Sequence, residues 1–211
     1  MNTLKSTAHA VGAVILAAGR SARMGRPKLL LPWGGTSVLG HQIQVWQQLG
    51  DSQVAVVCAL GDAAIGAELD RLSFPKDARI FNPEPERGMF SSIRCAAKWS
   101  GWRANLARLA IVLGDQPQVR PEALRALVEF SAGLADQVCQ PRAFGRLRHP
   151  VILPKAVFAR LCDSTATSLK QFLQSGLVEV VACDTADPGL AFDLDTPSDY
   201  QRALELCFPA T

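Results

Sequence analysis

Val11-Gly-Ala-Val-Ile-Leu-Ala-Ala-Gly-Arg-Ser-Ala-Arg-Met-Gly-Arg-Pro-Lys28 is the stretch on which the reading of this chain turns. Its first seven residues are apolar or small with no polar alternation, the pattern of a strand buried on both faces. A loop carrying Gly19, Gly25 and four cations (Arg20, Arg23, Arg26 and Lys28) follows at once. Lys5 ahead of the apolar run also has the outline of a secretion signal. A cleaved leader, however, would leave the glycine-bearing loop without a purpose. Outward from this point, apolar runs alternate with helical patterns: a helix over 37–49, a strand over 54–60 and a helix over 63–72. A strand over 78–81, a helix over 90–99, a strand over 109–113 and a helix after Pro121 continue the alternation. Buried strands alternating with helices predict a parallel sheet covered on both sides.

The remainder of the chain reads less regularly. Strands are expected over 138–141, 151–153, 178–182 and 190–195, an arginine-rich turn over 143–149, and helices over 155–161, 167–174 and 197–206. Residues 1–10 read as a flexible leader and 11–207 as a single domain, with 138–175 facing an acceptor. The fold class expected is a three-layer α/β sandwich with a Rossmann-like, mainly parallel sheet. At 211 residues the chain lies between one and two domains of about 150 residues. Its 48% hydrophobic and 19% charged residues exclude global disorder. Twenty-two Lys and Arg against nineteen Asp and Glu leave a net charge of +3, with no basic run suited to nucleic acid. No apolar stretch approaches the length of a membrane span. Cys58, Cys95, Cys139, Cys162, Cys183 and Cys207 lack the paired spacing of a zinc site and read as reduced thiols in a cytoplasmic protein.

Local chemistry concentrates at five places. The glycines of the first loop let backbone N–H groups approach a phosphate chain, and its cations match a triphosphate's charge. Lys28 is the strongest single candidate, able to follow the outer phosphates and stabilise departing pyrophosphate. The spacing is neither that of a P-loop nor G-x-G-x-x-G, which argues against those ATPases and dehydrogenases. Asp115 follows a buried strand, where open α/β sheets bind ligands, and a carboxylate there suits Mg²⁺. Asp62 also follows a strand, but its context is that of a helix N-cap. Asp193 and Asp195, two apart on an expected strand, would face one site with Leu194 behind them. Asp195 is the preferred partner of Asp115 and Asp193 the second choice. Asn82 and the Gly88–Ser92 segment open a helix whose hydroxyls and N–H groups suit an anion or a ribose. His149 is suited to hydrogen-bonding an acceptor rather than acting as a base, because a phosphate monoester is already largely dianionic at pH 7.

These residues compose a recognisable pattern. Leu16-Ala-Ala-Gly-x-Ser-x-Arg-Met-Gly-x-x-Lys28, Gly88-Met-Phe-Ser-Ser-Ile93, Leu113-Gly-Asp-Gln-Pro117, His149-Pro-Val151 and Asp193-Leu-Asp-Thr-Pro197 resemble, in order, the blocks of the molybdenum cofactor nucleotidyltransferases. The likeness is greatest to the cytidylyltransferase branch of these MobA-like NTP transferases, whose fold is that of the nucleotide-diphospho-sugar transferases. The resemblance implies that Gly19, Arg23 and Lys28 bind the triphosphate, with Leu16, Ala17 and Ala18 lying along the nucleotide. It implies a metal, Mg²⁺ or alternatively Mn²⁺, on Asp115 and Asp195, and an acceptor beside His149, Gln116 and Pro117. The implied reaction transfers CMP from CTP to molybdopterin, for delivery to a molybdoenzyme. GTP with the same or another phosphorylated small molecule is the alternative, as is a non-catalytic cofactor-binding chaperone. Two departures lie on the acceptor side: Arg148 where the branch carries glycine, and Cys162-Asp-Ser-Thr-Ala-Thr167 where it carries Gly-Asp-x-Gly-Ala-Arg.

Overall fold

The computed structural model describes residues 10–19, 21–49 and 52–209. Most of the expected leader, with His9, therefore lies outside the described residues, as does Arg20. Ala10 already joins the fold, its carbonyl accepting from Ala107 N at 3.3 Å.

The apolar run before the glycine-bearing loop forms β1 (Val11–Leu16), and its burial explains its composition: Ala13, Val14 and Ile15 are fully enclosed. A two-stranded ribbon, β2 (Pro32–Trp33) and β3 (Thr36–Ser37), leads into α1 (Val38–Gln47), which Ser37 caps by accepting from Gly40 N at 2.9 Å. Next come β4 (Gln53–Ala59), α2 (Ala63–Arg71), β5 (Arg79–Asn82), α3 (Met89–Lys98), β6 (Arg108–Leu113) and α4 (Pro121–Ala132). Then follow β7 (Val138–Ala143), β8 (Arg146–Leu147), β9 (Val151–Pro154), α5 (Lys155–Ala159), α6 (Leu169–Leu173), β10 (Val180–Asp184) and α7 (Pro197–Cys207).

The main sheet runs β10-β7-β9-β6-β1-β4-β5, with β8 attached to β7. β1 is parallel to both β4 and β6, pairing Val14 with Ala55 on one side and with Ile111 on the other. β9 alone of these seven runs antiparallel to its neighbours. Alternate residues serve opposite faces, as the strand period requires. Val11, Ala13 and Ile15 enter a core with α1, α2, α4 and α7, whereas Val14 enters a second core with α3, α5 and α6. Three layers result, as expected.

Two local expectations are corrected. Residues 190–195 are not a strand: Pro188–Ala191 form a 3₁₀ turn and the chain then continues as coil. Its carbonyls bond to a side chain instead of a neighbouring strand. The arginine-rich turn is a short hairpin, in which Arg142 pairs with Leu147 and Ala143 with Arg146. All six cysteines are free, and burial pushes the Cys58 and Cys139 thiols up to about 12, as inert core residues. No helix among the described residues is long and apolar enough to cross a membrane.

Candidate active site

The parallel strands β1, β4, β5 and β6 deliver their carboxyl ends to one edge of the sheet, where the loops form the site. After β1 the backbone stays close to its neighbours: Ala17 N donates to Val57 O at 2.8 Å and Gly114 N to Leu16 O at 3.3 Å. A Cβ on Gly114 would come within 2.8 Å of the Leu16 carbonyl oxygen, so glycine is what lets the β6 loop lie against β1. Lys28 leaves the first loop on a 3₁₀ turn (Lys28–Leu30), its backbone N–H held by Ser21 Oγ at 3.0 Å.

The acidic residues reach this point by different routes. Asp115 lies two residues past β6. Asp193 and Asp195 arrive on the coil before α7, which is fastened to the Asp115 loop along its length. Arg120 N donates to Asp187 Oδ2 at 2.8 Å. Gln118 Nε2 donates to Gly189 O at 3.0 Å and to Phe192 O at 2.7 Å. Gln116 Nε2 donates to Asp193 Oδ1 at 2.7 Å, and Leu194 N to Asp115 O at 3.1 Å. Leu194 is fully buried behind the two aspartates, as expected, although no strand holds it there. Thr196, not Asp195, caps α7 and forms a capping box with Asp199. Asp195 therefore keeps its carboxylate for the site.

The result is a convergence of charge. The Lys28 ammonium contacts Asp115 Oδ2 and, at 3.2 Å, Asp195 Oδ1. Arg23 Nη2 takes the other Asp195 oxygen at 2.9 Å. Burial works against the charged Lys28, but Asp115 and then Asp195 outweigh it, so its pKa lies above the ordinary lysine value. Asp193 is held above the usual carboxylate range, first by burial and then by the charge of Asp115, with the Gln116 hydrogen bond opposing. Asp115 and Asp195 are thus two hard oxygen donors brought to a common cation, the donor chemistry that suits Mg²⁺ or Mn²⁺ with phosphate oxygens completing the shell. Among the described residues no three His, Cys, Asp or Glu side chains form a group that could hold a metal ion by themselves.

Two adjoining clefts open at this edge. One, of about 420 Å³, is lined by Leu16, Ala18, Gly19, Lys28, Gly88, Met89, Ser92 and Asp115. The other, of about 730 Å³, is bounded by Ala17, Gly25, Arg26, Leu60 and Gly61, and shares Ala18, Gly19, Leu29 and Pro85 with the first. Gly88 begins α3 with φ +86° and ψ 179°, a conformation essentially reserved for glycine. It thereby turns the helix start into the cleft. Asn82 is buried, its amide donating to Ser91 Oγ at 2.8 Å and Ser92 Oγ at 2.9 Å, so it shapes the wall of the cleft. Asp62 lies on the rim of the larger cleft but caps α2, accepting from Ile65 N at 3.1 Å.

The residues expected to meet an acceptor are placed differently from that expectation. Gln116 and Pro117 are buried: the first supports Asp193 and the second offers its carbonyl to His41. They act behind the cleft instead of at its surface, because the loop that carries Asp115 turns inward after it. His149 is half-buried at the start of β9, with its Nδ1 facing Ile111 O at 3.4 Å. Burial holds its pKa below the ordinary histidine value, while Asp115 acts in the other direction. Sequence reading missed Gln118 and His41, whose work is done on backbone groups and leaves no motif, and gave Ser21 a place in the loop pattern without a role. Only the alternation Gln116-Pro-Gln118 hinted at polar side chains turned inward together.

A mostly parallel sheet with a cationic glycine loop and converging aspartates at its carboxyl edge defines a protein of nucleotidyltransferase fold. The profile of the MobA-like NTP transferase domain matches residues 13–182, and the chain belongs to that family of NTP transferases. It is 31% identical over 157 residues to a phosphoenolpyruvate guanylyltransferase of Geodermatophilus obscurus, an alignment covering 72% of this chain and 64% of that protein. It is 24% identical to the molybdenum cofactor cytidylyltransferase of Escherichia coli, over 93% of this chain and 96% of that one. The crystal structure of Rv0371c from Mycobacterium tuberculosis H37Rv superposes with a TM-score of 0.72 at 29% identity, covering 94% of this chain and 100% of that one. Rv0371c has also been solved in complex with manganese, at TM-score 0.66 and 28% identity, covering 92% of this chain and 98% of that one.

Proposed function

We propose that this chain transfers CMP from CTP to the phosphate of molybdopterin, releasing pyrophosphate. An oxygen of the acceptor phosphate attacks the α-phosphorus in line. A new P–O–P bond forms, the bond from the α-phosphorus to the bridging oxygen breaks, and the electron pair leaves with pyrophosphate. The observation that carries this reading is the convergence of Asp115 and Asp195 on Lys28 beside Arg23. In the reaction Gly19 and the start of α3 cradle phosphates, while Lys28 and Arg23 neutralise the charge that builds on the leaving group. Asp115 and Asp195 are the residues that would hold Mg²⁺ or Mn²⁺, with Asp193 behind them. Such an ion, when bound, neutralises phosphate charge and polarises the phosphorus. His149, kept neutral by burial, is suited to hydrogen-bonding the acceptor, whose phosphate needs no base to become nucleophilic. Catalysis is then mainly positioning and charge neutralisation.

The end-to-end match to the Escherichia coli cytidylyltransferase supports CTP and molybdopterin. A second reading, GTP with a smaller phosphorylated acceptor, is favoured by the 31% identity to a guanylyltransferase named for phosphoenolpyruvate. Pyrophosphate release from CTP, GTP, ATP and UTP, each with molybdopterin, with phosphoenolpyruvate and with no acceptor, separates the two. The proposal expects turnover with CTP and molybdopterin. Turnover confined to GTP with phosphoenolpyruvate would replace it with the second reading. Tight nucleotide binding without turnover in any combination would instead indicate a cofactor-binding chaperone.

A further inference from the structure

We infer that the Lys28 side chain is a tethered competitor for the divalent cation, so that Asp115 and Asp195 accept the ion only when a nucleoside triphosphate draws the ammonium away. The inference rests on the nucleotidyl-transfer reading and concerns the order in which its components assemble. One ammonium bridges the two carboxylates intended for the metal, contacting Asp115 Oδ2 and Asp195 Oδ1. Arg23 covers the remaining Asp195 oxygen. The Lys28 side chain is only 15% exposed there, so an ion approaching from solvent meets a buried positive charge already in contact with both carboxylates.

The arrangement also contains a way out. The Lys28 backbone is anchored by Ser21 Oγ and its 3₁₀ turn, but the ammonium swings on a flexible four-carbon stem. Lys28 lines the cleft of about 420 Å³ together with Gly19, Gly88 and Ser92. A triphosphate in that cleft offers the ammonium more negative charge than the carboxylates do. Its departure leaves Asp115 and Asp195 facing each other without a cation between them. Ion and nucleotide then bind with positive coupling, and by linkage each raises the affinity for the other by the same factor.

Mn²⁺ titration of the full chain, followed by the loss of the free-ion electron paramagnetic resonance signal, tests this without relying on turnover. The titration is run alone and with the α,β-methylene analogue of CTP, and the Mn²⁺ that the analogue takes up without protein is subtracted. Wild-type protein should bind Mn²⁺ weakly alone and about tenfold or more tightly with the analogue, within the usual range of such couplings. Lys28→Met should bind Mn²⁺ about tenfold more tightly than wild type without nucleotide, and its coupling should shrink to the part that phosphate ligation of the ion supplies. Lys28→Gln provides a second neutral side chain should the methionine variant fold poorly. Lys28→Arg keeps the charge and should exclude the ion as wild type does. Neutral variants binding Mn²⁺ no more tightly than wild type would overturn the inference while leaving the metal-site reading intact. Failure of wild type to bind Mn²⁺ even with the analogue would remove both.

Discussion

Asp115 and Asp62 each follow a strand after a glycine, and their neighbours decide their different employment. Asp62 spends its carboxylate on Ile65 N as the cap of α2, whereas Asp115 keeps its side chain for Lys28. That distinction was legible in the residues that follow each one, Ala-Ala-Ile after the first and Gln-Pro after the second. The state of His149 was not legible, because it depends on burial against β6 that no local pattern reports. Its pKa, like that of His41, is lowered first by burial, so the folded chain favours neutral imidazoles. The unfolded chain titrates near its ordinary value of about 6.5. Unfolding below that pH takes up protons, and the stability these two residues contribute is present above it and is lost as pH falls. Asp193 has the opposite sign, because its raised pKa makes the folded chain hold its proton more readily. The urea midpoint should therefore fall between about pH 7 and pH 5.5, and fall less in the double variant His41→Asn/His149→Asn. An equal or steeper fall in that variant would show that other groups carry the acid sensitivity.

The element that matters most is the coil between β10 and α7. Sequence reading expected a strand over 190–195, and the period-2 argument put both aspartates on one face. Their delivery to one site is observed, but by a different device: Gln118 holds the Gly189 and Phe192 carbonyls, Gln116 holds Asp193, and Arg120 N holds Asp187. The strand was misread because Leu190, Phe192 and Leu194 alternate as a strand does, while Pro188 and Gly189 impose a turn just before them. By contrast β1, the cap at Asp62 and the proline that begins α7 were legible, since each depends on residues within one or two turns. Gln118→Leu should cost about 2–3 kcal/mol by leaving two carbonyls without their donor. It should also weaken Mn²⁺ binding in the presence of the CTP analogue, because Asp195 loses the tether that presents it. Urea denaturation and the Mn²⁺ titration read the two effects separately. Lost stability with unchanged Mn²⁺ affinity would remove Gln118 from the support of the site.

At the scale of the whole molecule, the sheet places four parallel strand ends along one edge, and two layers of helices fix their positions through separate cores. Family membership accords with the cationic glycine-bearing loop after β1, which was legible in the sequence. The part over 138–175, expected to face an acceptor, was less legible because β7 pairs with β10 and β9 with β6, each distant in the chain. The claim on which the account depends is that Asp115 and Asp195 act together on one metal-bound nucleotide. Its direct measurement is divalent-ion-dependent pyrophosphate release from CTP with molybdopterin, by wild type, Asp115→Ala and Asp195→Ala, each checked for an intact fold by circular dichroism. Each variant should fold and lose at least about 100-fold in turnover. Turnover close to wild type in either folded variant would contradict it.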